Sequence, residues 1–97
     1  MNETWLHELG ENAHAVKNKI DETYDRAKGI GQYPDDIEKL HNFVAHEQPQ
    51  AVQWAQKILR QMIADGHHVD WAAQALAFLK DSVPERYLME EDPRQEE

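Results

Sequence analysis

The sequence predicts an all-α fold: a small bundle of four main helices at about 3–28, 34–47, 49–65 and 70–82, followed by a short C-terminal helical turn and an acidic tail. Three observations predict it. Apolar residues recur at the helical period through each of these segments. Pro34, Pro49, Gly66 and Pro84 stand where helices start and stop rather than inside them. The stretch from Gln48 to Val83 reads as two helices joined at Gly66, and the second is the most apolar segment of the protein. Ninety-seven residues, 40% of them hydrophobic, suffice for one domain with a modest core, placed at 1–89. Positions 90–97 hold five carboxylates, one arginine and one proline, and read as a disordered acidic tail.

The first helix carries the most regular stripe, Trp5, Leu6, Leu9, Ala13, Val16, Ile20, Tyr24 and Ala27. These residues fall within about 100° of arc when successive residues are turned by 100°. Asn2 is its expected N-cap. At 1.5 Å per residue this helix reaches about 39 Å, against about 26 Å for 49–65. Part of it must therefore overhang, fold against other segments, or meet a second copy. Gly10 costs about 1 kcal/mol relative to alanine in a helix and marks a kink or a close helix contact.

Gly29 to Tyr33 reads as a connection; no Gly-Lys-Ser/Thr follows and no strand precedes, so its glycines are not a phosphate loop. Pro34, Asp35 and Asp36 open the second helix, with carboxylates where the helix dipole favours them. Its apolar side is Ile37, Leu40, Phe43 and Val44, and it stops near Glu47 because the residue before Pro49 is biased away from helical geometry. In the third helix Pro49 suits the first position and Gly66 the left-handed residue past the end. Val52, Ala55, Ile58, Leu59, Met62 and Ile63 form its core face, and Trp54 lies off that stripe.

The fourth helix starts at Asp70 as N-cap and ends before Pro84. Trp71, Ala72, Ala75, Leu76, Phe78 and Leu79 spread its apolar arc over about 160°, which places it at the centre of the core with Trp71 buried. Ser82 and Glu85 have capping-box spacing ahead of a short last helix at 86–89. Val52-Gln53-Trp54-Ala55 with Leu59 is echoed 17 residues on by Val69-Asp70-Trp71-Ala72 with Leu76, a degenerate repeat or a chance match of two amphipathic helices. The chain is too short for a solenoid of such units.

A net charge of −9, with only ten scattered lysines and arginines, argues against direct binding to nucleic acid or anionic membrane. No apolar run approaches the roughly 18 residues that span a bilayer, and Glu3, Glu8 and Glu11 in place of a basic and then apolar stretch lead to the expectation of a soluble, unexported protein. With no cysteine, disulfides and thiolate chemistry are excluded and a cytoplasmic home is expected.

Two Glu-x-x-His sequences, Glu11 to His14 and Glu38 to His41, lie on different helices. Their spacing resembles that of ferritin-like di-iron proteins, in which two helices each supply such a pair and two more each supply a glutamate. The resemblance implies a metal-binding alternative with Glu11, His14, Glu38 and His41 as ligands. Against it, Glu11 and His14 fall on the water side of their helix, and the segment 49–65 contains no glutamate. His7, Glu11 and His14 share one helical face, where a divalent ion would be held weakly or the side chains simply solvated. His67 and His68 sit in a turn, and His41 borders an apolar stripe.

Nucleophilic chemistry has only Thr4, Thr23 and Ser82 to draw on, and no spacing singles out a carboxylate pair among nineteen. No enzyme and no cofactor are expected. The leading expectation is a non-catalytic protein-protein interaction module: an acidic regulator, inhibitor or adaptor of a protein with a basic surface, including one that handles nucleic acid. Trp54, as an off-stripe anchor, and Asp35, Asp36 and Glu38, as charges, are its expected contact residues. Self-association through 3–28 is the companion expectation.

Overall fold

A computed structural model describes residues 3–89. It is an all-α bundle: α1 (Glu3–Leu9), a 3-10 turn (Gly10–Asn12), α2 (Ala13–Ile30), α3 (Pro34–Ala45), α4 (Gln50–Asp65), α5 (Val69–Ser82) and a C-terminal 3-10 turn (Glu85–Tyr87). The described residues contain no strand. No helix among them is long and apolar enough to cross a membrane. The expected N-cap Asn2 and the tail 90–97 lie outside the described residues.

The predicted helix over 3–28 is broken at Gly10, whose φ of 59° no residue inside a right-handed helix adopts. The break resolves the excess length: α1 folds back and buries Trp5 and Leu9, at 4% and 6% exposure, instead of overhanging. Beyond the break α2 runs on through Gly29 and Ile30 to Gly31, whose left-handed backbone (φ 80°) ends the helix. Its buried residues are Val16, Ile20, Thr23 and Ala27. The Thr23 hydroxyl donates to the Lys19 carbonyl oxygen at 2.9 Å, so a polar side chain is accommodated in the core.

Pro34 takes the first turn of α3 as its fixed φ favours. The helix ends two residues earlier than predicted, in a paired closure: Gln48 N–H donates to Phe43 O at 2.9 Å and Glu47 N–H to Val44 O at 3.0 Å. Glu47 itself holds the left-handed position, at φ 52°. The same closure ends α4, where His67 N–H donates to Met62 O and Gly66 N–H to Ile63 O, with Gly66 at φ 81° as predicted. Pro49 is the residue before α4 rather than its first.

The centre of the core is α4, not the later helix. It buries Ala51, Val52, Ala55, Gln56, Ile58, Leu59 and Met62 and packs against α2, α3, α5 and the C-terminal turn. By contrast α5 buries only Ala72, Ala75 and Leu79, and Trp71 is half-buried. The wide apolar arc of α5 serves two neighbours at its flanks, α4 and α2, while one-sided α4 is enclosed by the topology. Hydrophobic content marked the wrong helix because it does not encode neighbours.

Two expected caps are absent. His68, at φ 50°, precedes α5, which starts at Val69, and Asp70 sits in the first turn where its charge favours the dipole without capping. No side chain caps the C-terminal turn, which is a single 3-10 turn rather than a helix over 86–89. The 17-residue echo is kept only in part: Ala55 and Ala72 are both fully buried and Trp54 and Trp71 both half-buried, whereas Val52 is fully buried and Val69 is 40% exposed.

Candidate functional site

Of the residues singled out from the sequence, Trp54 and Asp36 lie along the junction of α3 and α4. Trp54 is half-buried and stacks on Phe43, with ring centroids 6.5 Å apart and planes inclined by 22°. Lys57 Nζ lies 4.5 Å and Lys39 Nζ 5.4 Å from the Trp54 ring centroid. Lys57 also reaches Asp36 Oδ1 at 3.9 Å. The off-stripe tryptophan therefore packs in part within the molecule, on the Phe43 ring. It retains an exposed portion bordered by two ammonium groups.

Of the three α3 carboxylates, Asp36 leans toward α4 through Lys57, while Asp35 and Glu38 are exposed. The position of α3 explains this division: Leu40 is buried, Phe43 and Asp36 fall on the flank facing α4, and Asp35 and Glu38 fall opposite the core. The expected contact residues thus form an outward acidic flank beside a cation-bordered indole.

The histidines take scattered positions. Glu11 lies in the 3-10 turn and His14 in the first turn of α2, both exposed; Glu38 and His41 are exposed on α3. His41 lies against Tyr24, with ring centroids 5.8 Å apart. The break at Gly10 interrupts the register that would have aligned His7 with Glu11 and His14. Among the described residues no three His, Asp or Glu side chains come together in an arrangement that would hold a metal ion. A di-iron site needs its carboxylates projecting into the bundle, and these point outward, so the metal-binding alternative is not supported.

Two clusters lack any local signal in the sequence. At one end of the bundle the Tyr33 hydroxyl donates to Asp65 Oδ2 at 2.7 Å, and His67 Nε2 lies 3.1 Å from Gln32 Oε1. These contacts join the α2–α3 connection to the end of α4. Burial, then the hydrogen bond and charge of Asp65, push the Tyr33 phenol up to about 12. At the other end Trp5 donates its indole N–H to Glu47 O at 3.0 Å and meets Tyr87 edge-on, with centroids 6.1 Å apart. Glu8 accepts from Tyr87 Oη at 3.0 Å and from the Arg86 guanidinium. Residue pairs separated by 32 to 82 positions leave no periodic trace.

The second half-buried tryptophan, Trp71, is covered from α2. Arg26 lies 4.3 Å from its ring centroid and Lys19 5.4 Å, and Lys19 also caps Phe78 at 5.8 Å. Beneath α1 the packing leaves a void of about 20 Å³ among Trp5, Leu6, Ile20, Phe43, Val44 and Ala51, room for about one water. Comparison of the chain with protein-family models, with curated proteins and with solved structures finds no match.

Proposed function

We propose that this chain is a non-catalytic interaction module, an acidic regulator, inhibitor or adaptor that docks a protein with a basic surface through the outward flank of α3. What supports this reading is the unequal placement of its charges. Among the described residues, Lys19, Arg26, Lys28, Lys39, Lys57 and Arg86, six of nine lysines and arginines, lie over the chain's own aromatic rings. Asp35 and Glu38 meanwhile project into solvent from a chain of net charge −9. Such a flank accelerates encounter with a basic partner and repels an acidic one. A nucleic-acid-handling protein is one class with the matching charge, and a cytoplasmic location belongs to the same proposal. The exposed part of Trp54 supplies apolar area at the edge of this contact.

Affinity capture from native extract tests it, comparing the chain with its Asp35→Lys/Glu38→Lys variant under matched loading. A basic protein retained by the native chain, lost by the variant and released by high salt is the expected result. A partner held equally by both chains, whatever the salt, would sink the reading.

A further inference from the structure

We propose that α1 is an exchangeable arm: Gly10 is its hinge, and the groove that α1 fills accepts the α1 of a second copy of this chain. The groove is apolar and built by other segments, with Ile20 from α2, Phe43 and Val44 from α3 and Ala51 from α4 beneath Trp5 and Leu6. Trp5 and Leu9 supply the buried side chains, and the Trp5–Glu47 hydrogen bond with the Glu8–Tyr87 and Glu8–Arg86 contacts holds the arm in place. An identical arm from another molecule makes every one of these contacts unchanged, which identifies the occupant.

The hinge is a single residue in conflict with its surroundings. The apolar period runs without interruption from Trp5 through Ala27, so local propensity favours one continuous helix. The left-handed backbone of Gly10 diverts it, and a Cβ placed there meets nothing within 4 Å, so a side chain at this position is opposed by its φ and not by crowding. Straightened, the ten residues from 3 to 12 project about 15 Å beyond α2, carrying Trp5, Leu6 and Leu9 into water. That exposure is relieved when two chains exchange arms, each laying α1 on the other's body. The linker of three residues, Gly10–Asn12, is short enough for extension to compete with the fold-back.

Gly10→Ala removes the left-handed option and improves the helical one. With two hinges per dimer at about 1 kcal/mol each, the association constant should rise roughly thirtyfold, read by light scattering over a dilution series. Inserting two glycines after Gly10 should lower it. The topology is read in a chain free of cysteine: single Glu8→Cys and Arg86→Cys variants are mixed, refolded together at high concentration and treated with a short bismaleimide. Exchange places the two cysteines of different chains together and yields the mixed cross-link, a readout available with Gly10 intact if the Ala variant fails to fold. A Gly10→Ala protein that stays monomeric with native helicity would overturn the proposal. So would a dimer that cross-links only Glu8→Cys to itself, the mark of straight helices packed side by side, and so would the absence of mixed cross-link.

Discussion

The indole N–H of Trp5 and the carbonyl oxygen of Glu47 meet at 3.0 Å across 42 residues of sequence. Glu47 presents that oxygen because the end of α3 turns through a left-handed residue, and Trp5 reaches it because α1 folds back at Gly10. The contact thus depends on two backbone reversals at once, and it ties the N-terminal arm to the α3–α4 connection.

Truncating Trp5 tests how much the arm contributes. Trp5→Ala should cost about 3–5 kcal/mol in urea unfolding, as for large buried aromatic side chains. Trp5→Phe, which keeps most of the ring but loses the donor, should cost about 1–2 kcal/mol. A loss below about 1 kcal/mol for the alanine variant would mean that the arm adds little to the fold.

Large-to-small changes should rank α4 above α5. Leu59, fully buried, should lose about 2–5 kcal/mol on replacement by alanine. Trp71→Leu should lose less than about 1.5 kcal/mol, because the ring is half-buried and its cation contacts lie at the surface. The opposite order would restore α5 as the centre of the bundle.

Those two helices also show what was legible in the sequence. Periodicity and the Pro and Gly positions located α3, α4 and α5 within a few residues, because these signals act within one turn of chain. The burial of α4 over α5 was hidden, since it depends on which helices lie alongside. The break at Gly10 was signalled only as a cost, and its direction came from length: a helix longer than its neighbours had to bend, overhang or pair. At the candidate site, the exposure of Asp35 and Glu38 followed from their place on α3, whereas the partners of Trp54 did not. Phe43 and Lys39 reach Trp54 because α3 and α4 pack side by side, while Lys57 lies one turn further along α4 itself.

Tyr33 should titrate above the ordinary tyrosine range. Its phenol, buried and donating to Asp65, should ionise near 12, against the ordinary value of about 10. The folded-state value is raised, so the stabilisation from this pair is fully present below about pH 10 and is lost as pH rises through about 12. Phenolate absorbance should show a late component that disappears in Tyr33→Phe. In Asp65→Asn it should move to lower pH, because the acceptor's charge is gone. A Tyr33-dependent component that titrates near the ordinary value of about 10 would contradict the geometry.

The same substitution should act with opposite signs at two glycines. Gly66 ends α4 at φ 81°, where a Cβ crowds the backbone, so Gly66→Ala should destabilise by about 1 kcal/mol even though a Cβ has open space around it. Gly29 lies within α2, has no positive φ, and a Cβ there also meets nothing within 4 Å. Gly29→Ala should therefore stabilise by about 0.5–1 kcal/mol, from higher helix propensity and a less free unfolded chain. Thermal or urea unfolding of the two variants separates the effects cleanly, since neither side chain gains a new contact. Equal signs would show that the α2 terminus frays before Gly29, or that the turn at Gly66 relaxes out of the left-handed region at little cost.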